Sequence, residues 1–260
     1  MKSIPLDQVD QLPGRRVADG DTFCFACHAG LSCFNQCCRN LNLFLYPYDV
    51  LRLKNALGIT SEAFLDRYVD VVMRDGNHFP DVLLTMADNP EKTCPFLAGD
   101  GCRVYSDRPD ACRTFPMEQG RWVDARTGEA TVVHFFRPPD FCLGQHESRA
   151  LTPAQWADDQ DARRHHLMTR RWADLKSRFR DNPWGASGPD GQQAKMAFMA
   201  VYNIDRFREF LFESSFFKRY AVKPDLKRRL AKDDEALLVF GFDWVALFVW
   251  GLPSKRMRPR

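Results

Sequence analysis

Apolar and polar residues alternate with different periods in different parts of the chain. Residues 1–22 show no period and predict an irregular lead-in. Leu41–Tyr46 is a short apolar run, and Pro47 then opens a helix, because proline suits a first helical turn. Val50, Leu51, Leu53 and Leu57 form its buried face, and Gly58 suits its C-terminal cap. Thr60 or Ser61 caps a second helix carrying Phe64, Leu65, Tyr68, Val69 and Val72. The two helices are expected to form a hairpin.

Val82–Met86 reads as a strand, and Arg121–Phe136 as a β-hairpin that turns at Arg126–Glu129. From Thr152 onward helical patterns with arginine-rich faces take over. Thr152-Pro153 starts one helix, residues 182–191 form a glycine- and proline-rich loop, and Met196–Phe217 reads as one long helix. Pro224-Asp225 starts another segment. Ala236–Leu252 is apolar except for Asp243 and two glycines. A spanning helix needs about 20 mainly apolar residues, and a charge in mid-segment is costly in lipid. A buried terminal helix is the better reading, and a peripheral membrane contact the lesser one.

Charge is unevenly spread. Residues 1–150 carry 16 basic and 20 acidic side chains, and residues 151–260 carry 21 and 14, for a total of +3. The basic half suits an acidic partner, although a solvated helical surface accounts for it as well, and no specific nucleic-acid signal is present. At 260 residues, with 45% hydrophobic and 27% charged side chains, the chain has the composition of a folded globular protein. A chain of this size builds a core without disulfides. Met1–Gly14 has no apolar leader region, which predicts a reducing, cytoplasmic compartment.

Nine cysteines change the picture. Cys24, Cys27, Cys33, Cys37 and Cys38 form one cluster, and Cys94, Cys102 and Cys112 form a second, with Cys142 beyond it. An odd count in a reducing compartment disfavours disulfides and points to metal ligation. Cys33 and Cys37 lie four apart, so a helical turn would align their sulfurs. Cys38 would then point about 100° away from Cys37, and in a strand the two would face opposite sides. Thiolates suit both zinc and iron–sulfur clusters. Only Cys24 and Cys27 have the spacing of a zinc knuckle, so one or two iron–sulfur clusters are preferred, held by four thiolates each. Cys24, set apart from the rest, is as well explained as a small buried residue. His28 and His146 neighbour Cys27 and Cys142 and could replace a thiolate, but both read better as surface residues, as does His165-His166 in its charged helix. Arg103, Arg108 and Arg113 interleave with the second cluster, where positive charge lowers thiolate pKa and offsets an anionic centre. No Ser-His-Asp grouping, phosphate loop or dinucleotide fingerprint is visible.

Cys27-His28-Ala29-Gly30 through Cys33-Phe34-Asn35-Gln36-Cys37-Cys38-Arg39 resembles the cysteine cluster of YkgJ-type proteins, also described as a CxxCxxCC zinc- or iron-chelating domain. The Pro47–Leu53 helix start and the segment from Cys94-Pro95-Phe96-Leu97 to Cys112-Arg113-Thr114-Phe115-Pro116 are similar too. The resemblance covers about residues 24–145 and implies metal binding. The cysteine pattern also resembles that of flagellin lysine methylases (FliB), which implies an iron–sulfur-dependent methyl transfer. No glycine-rich methyl-donor loop accompanies it.

These readings predict an α+β protein, mostly helical, with a few short strands around a cysteine-rich metal site. Residues 1–150 would form the cysteine-cluster domain, with the 47–72 helical hairpin packed near it, and residues 151–260 a helical region. Cys27, Cys33, Cys37, Cys38, Cys94, Cys102, Cys112 and Cys142 would bind metal, most simply as a [4Fe–4S] cluster. Arg39, Arg108 and Arg113 would hold the thiolates and offset their charge. The expected function is a redox protein or a methylase-like modifier of a protein substrate. The alternative is a structural zinc protein whose helical half binds a protein partner.

Overall fold

The computed structural model describes residues 2–4, 12–123, 127 and 130–260. Among them are ten α-helices and several small sheets, an α+β fold that is mainly helical. In chain order the helices are α1 (Pro47–Leu57), α2 (Ser61–Tyr68), α3 (Asp110–Thr114), α4 (Pro153–Asp159) and α5 (Arg163–Lys176). They continue with α6 (Gln192–Tyr202), α7 (Ile204–Glu213), α8 (Phe216–Arg219), α9 (Pro224–Leu230) and α10 (Asp234–Trp250).

The chain forms two compact units, and both are discontinuous. One comprises Met1–Leu41 and Met86–Ala173, the other Asn42–Thr85 and Asp174–Arg260. The division therefore does not follow a single cut at residue 150. Residues 42–85 belong with the C-terminal helices, because α1 and α2 bury their apolar faces against α6, α7 and α10. All nine cysteines lie in the other unit, so the 47–72 helical hairpin is not part of the cysteine-bearing body.

The cysteine-bearing unit is built on the hairpin of Met117–Val123 and Ala130–Phe136, in continuous register from Ala130 opposite Val123 to Phe136 opposite Met117. The turn expected at Arg126–Glu129 lies, apart from Thr127, outside the described residues. The lead-in is not wholly irregular. Lys2–Ile4 adds parallel to one edge of the hairpin and Arg15–Val17 antiparallel to the other. Val17, Phe23, Phe25, Met117, Cys142, Leu151 and Trp156 form a core beside this sheet. Trp156 comes from α4, where Thr152 caps the helix reciprocally with Gln155, and its indole N–H donates to the Thr114 carbonyl at 2.9 Å.

In the other unit Pro47 occupies the first turn of α1 and Gly58 closes it at φ 64°. The expected strand at 82–86 is Asp81–Leu84, the centre of a three-stranded antiparallel sheet. The expected long helix over 196–217 is broken into α6, α7 and α8. Asn203 leaves helical geometry (φ −103°, ψ 66°), and its side-chain oxygen accepts from the Ser61 hydroxyl at 2.7 Å. A short polar side chain that finds such a bond competes with the helix backbone. The buried Lys54 ammonium bridges Asp205 at 3.2 Å and Asp234 at 2.9 Å, which ties α1 to α7 and α10. α10 is the predicted buried terminal helix, with Leu237, Leu238, Phe240 and Val245 fully enclosed. No helix among the described residues is long and apolar enough to cross a membrane.

Candidate metal centre

The first cysteine segment is a series of turns. Gln36 N–H donates to the Cys33 carbonyl at 3.0 Å, and Cys38 N–H to the Asn35 carbonyl at 3.1 Å. Asn35 adopts a left-handed backbone (φ 66°), which asparagine tolerates better than most residues. That residue breaks the register between Cys33 and Cys37, so the two do not share the regular helix face that their spacing predicted. A single 3₁₀ turn, Gln36–Cys38, follows and ends where Arg39 becomes extended. Cys37 and Cys38, expected to diverge, instead hydrogen-bond through their sulfurs.

The extended backbone after Cys38 brings in the second cluster. Cys94 N–H donates to the Cys38 carbonyl at 2.8 Å, and Arg39 bridges to Thr93. Tight turns then aim backbone N–H groups at sulfur. Phe96 and Leu97 donate to Cys94, Val104 donates to Cys102, and Gly144 and Gln145 donate to Cys142. Leu143 N–H lies 3.2 Å from Cys33 Sγ. Gly144 makes this close approach possible, since a Cβ there would collide with the Ala26 carbonyl and the Phe25 ring. Such N–H···S bonds favour anionic sulfur and tune a thiolate-bound centre.

The thiols also interact electrostatically. Burial raises the Cys27 thiol, and so do Cys142, Cys33 and Cys38. The Cys37 thiol is pushed up by its hydrogen bond to Cys38, then by burial and by Cys38, Cys27 and Cys112. Burial pushes Cys94 up to about 11, with Cys38 and Cys102 adding to it. Cys102 and Cys142 are also raised, chiefly by burial. Cys38 is instead lowered, to about 7, because the Cys37 thiol donates to it and Arg39 stands beside it. These couplings link Cys27, Cys33, Cys37, Cys38, Cys94, Cys102, Cys112 and Cys142 into one set. All nine cysteines are unbridged. Cys24 enters none of these interactions among the described residues; it is exposed, on a strand opposite Ala150.

Tetrahedral zinc–sulfur bonds of about 2.3 Å would put the sulfurs within about 4 Å of one another. Among the described residues no three His, Cys, Asp or Glu side chains converge tightly enough to hold one metal ion. The donor set is nonetheless wholly thiol, a soft chemistry that suits zinc and iron–sulfur alike.

The three arginines singled out from the sequence differ. Arg39 donates to the Asn35 carbonyl at 2.7 Å and lowers Cys38. Arg108 lies over the Tyr105 ring, donates to the Tyr105 carbonyl and Gln160, and together with Arg103 counteracts the burial of Cys102. Arg113 is buried and ties the Gln160 and Ser106 carbonyls together, at 2.7 and 2.6 Å. Its charge is felt at His166. His28 faces Glu147 at 3.8 Å and accepts from Gly30 N–H. His165, expected on a solvated face with His166, is only 4% exposed. The charged residues around the pair in α5 masked that burial in the sequence.

Residues 26–142 match a protein-family model, CxxCxxCC, described as a putative zinc- or iron-chelating domain. The match begins beside Cys27 and ends at Cys142, so it takes in all eight interacting cysteines. No curated protein and no solved structure matches the chain significantly.

Proposed function

We propose that this chain, whose residues 26–142 match the CxxCxxCC model of zinc- or iron-chelating domains, binds iron–sulfur clusters through eight cysteines. The observation that carries the reading is the size of the interacting set. Eight thiols influence one another in one unit, twice the four that a structural zinc ion takes, and four thiolates serve one cluster. The proposed ligands are Cys27, Cys33, Cys37, Cys38, Cys94, Cys102, Cys112 and Cys142, divided between two [4Fe–4S] clusters. The N–H groups aimed at Cys94, Cys102 and Cys142 support the reading, because they favour sulfur in its charged form. Arg39 and Arg108 offset part of the ligand charge.

When bound, such a cluster supplies electron transfer or the redox step of a methylase-like modification of a protein side chain. The chain's own part is to bring the eight thiols into turns of one unit. Nine free cysteines suit a reducing compartment such as the cytoplasm.

The test is anaerobic purification followed by iron, zinc and acid-labile sulfide analysis. Brown protein with iron and sulfide in equal amounts is expected, and both should fall in Cys33→Ala and in Cys112→Ala, by the cluster that each cysteine serves. Colourless protein with stoichiometric zinc, from the same preparation, overturns the reading in favour of a structural zinc domain.

A further inference from the structure

The cysteine-bearing unit contains a second polar feature with no cysteine in its lining. A cleft of about 360 Å³ lies between α5, the start of α4 and the sheet. Arg163, His166 and Arg170 enter it from α5 at spacings of three and four residues, which places them on one helix face. His134 faces them from the central hairpin, and Asp19 stands at the rim. Pro153 and its small neighbours supply an apolar wall. The size falls within the range of small-molecule sites.

The polar groups have different duties. Asp158 chelates the exposed Arg163, with one contact of 2.6 Å, which neutralises that guanidinium. Arg170 is exposed, and among the described residues no carboxylate pairs with it. Burial lowers the pKa of both His134 and His166, and the Arg170 charge adds to it. His166 is held in place by the Gln119 amide nitrogen, 3.2 Å from its Nδ1 and 2.8 Å from its Nε2, and lies 3.5 Å from Asp110. The side chains of His134 and His166 are only 16% and 13% exposed. The one acid at the mouth, Asp19, has a side chain that is 96% exposed and 3.8 Å from His134, so it can turn into water.

We propose that this cleft binds the oxyanion group of a small molecule, a phosphate or a carboxylate. Arg170 is the guanidinium fork that recognises it, and His134 lines the cleft beside it. A planar guanidinium without an acid of its own matches either oxyanion with two parallel bonds. The apolar wall would take the rest of the molecule. The site does not depend on which metal the cysteines hold.

Calorimetric titration of the full chain with inorganic phosphate and, separately, with acetate tests the proposal at fixed ionic strength. Saturable binding of at least one anion is expected. Arg170→Ala and Arg170→Gln, both exposed changes, should weaken it about tenfold or more, since a charge-assisted pair is lost. Asp19→Asn should tighten it about fivefold, by removing a repelling charge. Thermal melting and metal content should not change in any variant. Phosphate binding alone points to a phosphorylated ligand, and acetate binding alone to a carboxylate. No saturable binding of either anion at millimolar concentration overturns the proposal, as does binding that the Arg170 variants leave unaltered.

Discussion

Adjacent in the chain, Cys37 and Cys38 have opposite acidities. The Cys37 thiol gives its proton to a hydrogen bond with Cys38, and Arg39 supports the charge that Cys38 carries. Cys38 is therefore the thiol best prepared to meet a metal as thiolate, whereas Cys24 stands outside the set. Cys38→Ser should lose about half of the bound metal, the cluster it serves, and Cys24→Ser should retain all of it, as metal analysis of the purified variants will report. A second prediction concerns pH. Burial holds His166 down at about 4, with His134 and Arg170 reinforcing it. An unfolded histidine titrates near 6.5, so between about 6.5 and 4 the unfolded state binds the extra proton and stability falls as pH falls. The loss is on the order of 2–3 kcal/mol. His166→Gln should flatten the dependence of melting temperature on pH in that window. At this scale the sequence was legible as far as ligand chemistry allowed: eight thiols stood out by clustering. The 37–38 hydrogen bond was not legible, because it depends on the left-handed backbone of Asn35 and on a 3₁₀ turn that spacing rules do not anticipate.

Among the elements, those with strong local signals formed where expected. Pro47 and Gly58 bracket α1, Thr152 caps α4, and the 121–136 hairpin pairs in register. Elements decided by distant partners did not. Asn203 breaks a helix by bonding Ser61, more than a hundred residues earlier in the chain, and the strand at 15–17 exists because the hairpin offers it an edge. The terminal helix α10 carries a test of its own packing. Gly241 lies so close to the Ala200 carbonyl of α6 that a Cβ would overlap it. Alanine is the better helix former by about 1 kcal/mol, yet overpacking costs about 1–3 kcal/mol. Gly241→Ala should therefore lower the melting temperature, and an unchanged or raised one would show that α6 and α10 can move apart freely.

For the molecule as a whole, the division into units was the least legible property. A cut near residue 150 follows composition, but the cysteine-bearing unit needs α4 and most of α5. Gln160 receives Arg108 and Arg113, Thr169 bonds Asp110 at 2.8 Å, and Trp156 fills the core. A fragment of residues 1–150 should fail to melt cooperatively. A chain joining 1–41 to 86–173 through a short linker should melt cooperatively by near-ultraviolet circular dichroism. The reverse outcome would refute the division. The same interleaving has a consequence in time. A ribosome adding about 5–20 residues per second delivers Cys38 several seconds before Cys142, with the whole 42–85 excursion between them. During that interval the early thiols are on offer to any passing metal or oxidant without their later partners. Their later partners can join them only once the chain has grown past Cys142.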